Sequence, residues 1–239
     1  VTVTSFIWKN KIVWLVAIVI LGAGIDQGTK IWAQSTLTRP ATPAEIACAE
    51  PGARKKDPEC RGSPRVTAHG QRVIVTEVAV VPDILNYKYA ENPAAAFSMT
   101  GSLPTWFRRP FLLGVSTLAC VGIAIWYLRM RREDWAIMTA FPMIIAGALG
   151  NLIDRARLGY VVDFIDMYLA GPESAAAWLV RHFGTTHWPT YNIADMCIVG
   201  GAGLVILRTL RPLPEDDEPA TASESAPLPA SSPGQVSST

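Results

Sequence analysis

Four stretches of this chain are long and apolar enough to cross a lipid bilayer: roughly residues 12 to 33, 110 to 128, 135 to 153 and 191 to 210. Each is near the roughly 20 residues that a helix needs to traverse about 30 Å of hydrocarbon. Half of the 239 residues are hydrophobic and only 17% are charged, and mean hydropathy is positive, a balance rare in water-soluble domains. The expectation is an all-α integral membrane protein with four transmembrane helices. A formal net charge of +1 supplies no broad basic field, and neither zinc-finger spacing nor a phosphate-binding glycine loop is present, so nucleic acid is not an expected partner.

Lys9 and Lys11 precede the first apolar run, as they would in a secretory signal. The run continues through Asp26 and Lys30, however, where a cleavable signal would offer small residues, so it reads as a retained anchor. Basic residues orient the rest. Lys9 and Lys11, the short turn with Arg129, Arg131 and Arg132, and Arg208 with Arg211 mark three span ends as cytoplasmic, which puts both termini inside. Arg54, Lys55, Lys56, Arg61, Arg65, Arg108 and Arg109 lie on the opposite side. Charge in a loop of roughly 70 residues counts little for topology, but Arg108 and Arg109, next to the second span, run against the assignment.

That long outer loop divides in two. Residues 39–66 are rich in Pro, Ala and charge and read as an insertion with little core, whereas about 71–90 turns β-like, with alternating valines, Tyr87 and Tyr89 around a Pro82-Asp83 turn. A small extracytoplasmic sheet at the membrane surface is expected there. Cys48 and Cys60 fall on the oxidising side, where both a disulfide and free thiols remain open, while Cys120 and Cys197 fall inside spans and read as buried small hydrophobes. No cysteine arrangement suggests a metal site. In the second outer loop "ESAAAWLVRHFG" reads either as an amphipathic helix on the membrane surface or as an ordinary loop helix. Residues 212–239 have almost no large apolar side chains and are expected to form a disordered cytoplasmic tail. There is no internal repeat of the kind that builds many transporters.

Ionisable side chains at membrane depth cost roughly 2.5 to 3.5 kcal/mol on insertion scales, which makes a functional role their default reading. Asp26 and Lys30 stand at i and i+4, a spacing for pairing on one helix face. Asn151 and Asp154, followed by Arg155, share a face at the end of the third span and suit structural support. Asn192 and Asp195 repeat that spacing at the start of the fourth, where Asn192 is placed to orient Asp195 or to position a substrate group. Asn92, before a proline, suits a turn or a donor to a substrate backbone. Asp163 and Asp195 sit at the edges of membrane-spanning stretches at the same depth. Two carboxylates within hydrogen-bonding range share a proton, as in aspartic proteases: one takes a proton from water and the other polarises a carbonyl. The competing reading is a proton relay or a structural pair.

"DQGTK" at 26–30, "NPAAAFS" at 92–98, "GALGNLIDRARLGYVVDFID" at 147–166 and "YNIADMCIVGG" at 191–201 together resemble the ordered motif set of the lipoprotein signal peptidases (signal peptidase II). The resemblance implies an intramembrane aspartic endopeptidase of four transmembrane helices and a small outer β element. It implies removal of the signal peptide from diacylglyceryl-modified prolipoproteins just before the lipidated cysteine, with Asp163 and Asp195 catalytic. By the same resemblance Asp26, Lys30, Asn92, Asn151, Asp154, Arg155 and Asn192 bind substrate or support the pair. No cofactor and no metal is expected; the implied partners are lipidated prolipoproteins and membrane lipids around a monomer. The implied location is the bacterial inner membrane, with the site near its outer face. The insert at 39–66, the stretch between the two aspartates and the polar tail look longer than this function requires.

Two other classes compete. A serine-lysine peptidase would use Ser98 with Lys30, but Asp26 opposes the deprotonated lysine that such a mechanism needs. A proton-coupled transporter would need a polar path to the cytoplasm, and between Phe111 and Ile153 there are almost no ionisable residues except at the turn joining spans two and three.

Overall fold

The computed structural model describes residues 10–50, 53–64, 66, 67, 69, 72–93, 104–130, 134–169, 171 and 173–210. Lys9, Arg65, Ser98, Arg131, Arg132, Arg211 and the tail expected over 212–239 lie outside the described residues. Four helices are long and apolar enough to cross a membrane: α1 (Lys11–Leu37), α4 (Thr105–Arg129), α5 (Trp135–Arg157) and α7 (Ile193–Leu210). The first three apolar stretches read from the sequence lie within α1, α4 and α5, and the fourth, read as 191 to 210, begins two residues before α7.

The helices are inverted relative to those of a water-soluble protein. On α1 the buried positions are Ala23, Asp26, Lys30, Ala33 and Leu37, a stripe at helical spacing that includes two ions. Ile12, Val13, Ile20, Leu21 and Ile31 are exposed, as lipid-facing side chains are. Helix α5 is the central element, with buried positions from Ala136 to Asp154. Its small residues set the packing. A Cβ on Gly147 would lie 2.2 Å from the carbonyl oxygen of Ala194, and one on Gly201 2.7 Å from that of Ala140. Helices α5 and α7 therefore meet backbone to backbone, which lets dispersion and close polar contact act where lipid offers no hydrophobic contrast.

Helix α5 ends at Leu158, whose N–H reaches Asp154 O at 2.7 Å, and Gly159 at φ 86° turns the chain. Strand β5 (Val161–Met167) follows at once. It joins an antiparallel sheet in the order β3 (Val78–Val81), β4 (Leu85–Asn92), β5, with Ala90 opposite Asp163 and Asn92 opposite Val161. The β3–β4 connection passes through Asp83 at φ 64°, the turn expected from Pro82-Asp83. The sheet differs from the sequence expectation in two respects. Strand β2 (Arg72–Ile74) pairs apart from it with β1 (Thr38–Pro40), and Asp163 sits within a strand rather than at the edge of a membrane helix. The helical end at Gly159 is the physical reason: all but Met167 of "VVDFIDM" is buried, so the apolar run that resembles a span margin is a strand covered on both faces.

Two apolar clusters cap the bundle. At one end Ala33, Leu37, Tyr89, Tyr160, Val162, Phe164 and Ile165 join α1 to the sheet, with Trp32 edge-on to Tyr87 at 5.2 Å. At the other, Tyr127, Met138 and Phe141 pack with Trp14, Leu15 and Val205. The insert carries two short helices, α2 (Pro43–Ala49) and α3 (Ala53–Lys56), and a 3-10 turn. A Cys48–Cys60 disulfide closes it; α2 buries no residue, whereas Cys60 is buried. Cys120 and Cys197, expected to be buried, are free and half-buried, because their helix faces turn partly outward. The amphipathic stretch that follows β5 forms helix α6 (Glu173–Phe183).

Candidate active site

Asp163 is 2% exposed, and both of its oxygens accept from amides. Asn192 Nδ2 donates to Oδ1 at 2.7 Å and Asn92 Nδ2 to Oδ2 at 3.1 Å. Asp195 lies in the first turn of α7. Its N–H donates to Asn192 Oδ1 at 3.1 Å while its Oδ2 accepts from Asn192 N at 3.3 Å, a reciprocal capping box that fixes both side chains to the helix start. Asn151 Nδ2 donates to Asp195 Oδ1 at 2.8 Å. Asn151 and Asn192 are themselves joined, since Asn192 Nδ2 also reaches Asn151 Oδ1 at 3.2 Å.

Lys30 sets the direction of this chain of amides. Its Nζ lies 2.9 Å from Asp26 Oδ2, 3.0 Å from Asp154 Oδ2 and 3.0 Å from Asn151 Oδ1, three acceptors for the three hydrogens of an ammonium. Asn151 must therefore present its oxygen to Lys30 and its NH₂ to Asp195. The flanking carboxylates have second tasks. Asp154 Oδ2 accepts from Val162 N at 3.0 Å and Asp26 Oδ1 from Ala194 N at 2.9 Å. Each holds the backbone one residue before a candidate catalytic aspartate. Gln27, which sequence reasoning missed although it stands inside the "DQGTK" block, closes the cluster by donating to Asp154 Oδ1 at 3.0 Å and to Gly150 O at 3.1 Å. Gly150 must lack a side chain, since a Cβ there would lie 2.4 Å from Asp26 Oδ2.

All nine residues singled out from the sequence fall in this one region. Arg155 is the least engaged: its charge acts on Asp195, Asp163 and Asp154 and one terminal nitrogen reaches Asn151 O at 3.4 Å. Its Nε is buried with no hydrogen bond among the described residues. Asn92 is neither a plain turn residue nor a free donor, because its amide is spent on Asp163. The two aspartates, expected within hydrogen-bonding range of each other, are joined through Asn192 and Asn151; among the described residues no hydrogen bond links them directly. They still sense each other. Burial, followed by the neighbouring Asp195 charge, pushes the Asp163 carboxyl up to about 7, against the opposing pull of its two amide donors. A carboxyl that keeps its proton near neutrality beside a second carboxylate is a general acid and base set. Lys30 is buried and its Nζ is engaged by Asp26, Asp154 and Asn151, the nearer partners that weigh against its pairing with a serine. Among the described residues no group of three or more His, Cys, Asp or Glu is placed to hold a metal ion.

Residues 18–211 match the family described as Signal peptidase (SPase) II. The lipoprotein signal peptidase of Geobacter metallireducens is 36% identical over 134 residues, covering 56% of this chain and 73% of that protein. The lipoprotein signal peptidase of Shewanella pealeana is 38% identical over 124 residues, covering 52% of this chain and 64% of its own length. A solved bacterial membrane enzyme shares the fold, with a TM-score of 0.54 at 21% identity over 83% of this chain and 94% of that one.

Proposed function

This chain belongs to the signal peptidase II family, multi-pass membrane aspartic proteases that remove signal peptides from prolipoproteins, and we propose that Asp163 and Asp195 are its catalytic pair. The bond cut is the one preceding a diacylglyceryl-modified cysteine. Asp163, its proton retained by burial and by the charge of Asp195, donates a hydrogen bond to the scissile carbonyl oxygen. Asp195 accepts a proton from a water whose oxygen attacks the carbonyl carbon. Collapse of the tetrahedral species breaks the C–N bond, and the departing amine takes up a proton from the pair.

The observation that carries this reading is the shared asparagine, Asn192, which holds Asp163 directly and Asp195 through the helix start. Asn92, Asn151 and Lys30 then orient the pair, and Asp26 and Asp154 anchor the backbone beside it. Arg155, whose Nε makes no hydrogen bond among the described residues and whose charge acts on the same carboxylates, would meet charge that develops on the attacked carbonyl. No cofactor enters the scheme.

The basic residues at span ends support an orientation with both termini in the cytoplasm and the site at the outer face of the bacterial inner membrane. Residues 1–211 then form one monomeric peptidase domain with lipids as its solvent and residues 212–239 a cytoplasmic tail. The test is cleavage of a lipidated precursor by purified Asp163→Asn, Asp195→Asn and Ser98→Ala variants in one detergent. Loss in both Asn variants with turnover kept in Ser98→Ala is expected; the reverse pattern would overturn the aspartyl pair. Activity is also expected to survive a chelator of divalent ions.

A further inference from the structure

Strand β4 presents its two sides to different tasks. Asn92 reaches the catalytic aspartate, and Glu91, one residue earlier and so on the opposite face, points into a second polar cluster behind the sheet. The Glu91 side chain is 1% exposed. Its Oε2 accepts from the backbone N–H and from Nδ1 of His69, both at 2.9 Å, and its Oε1 accepts from the Tyr89 hydroxyl at 3.4 Å. The Tyr160 hydroxyl lies within the electrostatic reach of Tyr89, Glu91 and Arg72. Gln34 of α1 reaches the Tyr89 hydroxyl at 3.5 Å. The His69 ring, carried between Val66 and Val73, which pair as an isolated bridge, stacks on Tyr160 at 4.3 Å.

The sheet register gives this cluster its leverage. Glu91 stands opposite Val162 and Asn92 opposite Val161; Tyr160 immediately precedes β5, and Asp163 follows two residues after Val161. His69 thus grips, through one imidazole, the active-site ends of the two strands that supply Asn92 and Asp163. We propose that His69 and Glu91 are positioning residues for the peptidase reaction: a clasp behind the sheet that sets the Asn92–Asp163 hydrogen bond. A displacement of about 1 Å at a reacting group is enough to cost on the order of a hundredfold in rate, and neither residue need touch substrate to matter. The proposal rests on the assignment of Asp163 to the catalytic pair.

The test uses the full-length protein in one detergent, with His69→Ala, His69→Asn, Glu91→Gln and Asp163→Asn assayed on a lipidated precursor across pH. The Asn amide nitrogen sits where Nδ1 does and restores that donor. His69→Ala is expected to lower kcat about tenfold with KM nearly unchanged and to displace the alkaline limb of the kcat profile. Asn is expected to restore both, and Glu91→Gln to fall between. The clasp is overturned if Ala keeps wild-type kcat and limb, if Asn is no better than Ala, or if the loss is wholly a smaller folded fraction with the limb unmoved. An active Asp163→Asn variant would instead reject the catalytic pair, whatever His69 does.

Discussion

The two ends of the helix bundle are held by opposite means. At the Tyr127 end the contacts are apolar, among Tyr127, Met138, Phe141, Trp14 and Val205. Polar ties there include Tyr127 to Lys11 O at 2.9 Å, Lys11 to Leu128 O at 2.7 Å and an Asp134–Arg208 bridge. At the Asp163 end Lys30 is surrounded by Asp26, Asp154 and Asn151, and every member has at least two hydrogen-bonding partners or ion contacts. Apolar packing is non-directional and tolerates repacking. A charge-assisted hydrogen bond has a preferred length and angle, so a closed network of them fixes orientation. It also makes that end fragile, since removing one charge strands the others in a low-dielectric site.

The contrast breaks most severely if the proposed catalytic pair is not what the directional end serves. Asp163→Asn and Asp195→Asn are each expected to reduce kcat by at least about 10²–10⁴-fold with little change in melting temperature. Substantial turnover in either would detach the network from the chemistry. Lys30→Met, next in size, leaves Asp26 and Asp154 as uncompensated buried charges and is expected to cost about 3–5 kcal/mol, read as a lower unfolding temperature in detergent. Combining Lys30→Met with Asp26→Asn and Asp154→Asn should recover much of that stability but not the activity. Recovery of both would show that the ions serve stability alone.

Gly150→Ala forces a methyl group to 2.4 Å from Asp26 Oδ2, so about 1–3 kcal/mol of overpacking and a drop in kcat are expected together. Titration sharpens the contrast further. Asp163 holds its proton up to about 7 in the folded protein, whereas an unfolded aspartate releases it near 3.9. Between those values the native state binds more protons than the unfolded one. The contribution of Asp163 to stability is therefore complete below the lower value and is lost as pH rises through the upper one. Asp163→Asn should flatten that slope, and the alkaline limb of kcat should fall near the same pH; an unchanged slope would place the raised carboxyl elsewhere. Smallest of all, Tyr127→Phe at the apolar end loses one hydrogen bond, about 1 kcal/mol, with kcat unaltered. A kcat effect as large as that of the Asp163-end variants would erase the distinction between the ends.

Much of this was legible along the chain because membrane helices report themselves locally: a run of about 20 apolar residues needs no knowledge of its neighbours. The same locality exposed Asp26 with Lys30, Asn151 with Asp154 and Asn192 with Asp195, since i+3 and i+4 spacings translate directly into a shared face. Strand β5 was not legible, because a short apolar run covered on both faces looks like the margin of a span. Gln27 was missed for a related reason: its partners Gly150 and Asp154 are more than 120 residues away, and nothing next to it distinguishes it from a solvent-facing amide.

The sequence by itself determined the four helices, the two carboxylates that stand out beside its apolar stretches and, through its motif blocks, the chemistry to expect. These depend on composition and short spacing, which act within one helix. Only the tertiary structure decided that Asp163 lies on a strand, that the pair is joined through Asn192 and Asn151, and that Lys30 dictates which way the Asn151 amide faces. Those outcomes come from close approach between distant segments, above all where Gly147 and Gly150 bring α5 against Ala194 and Asp26. Hydrogen-bond direction is a property of atoms within about 3 Å of each other, and no spacing along a chain of this length specifies which atoms those will be.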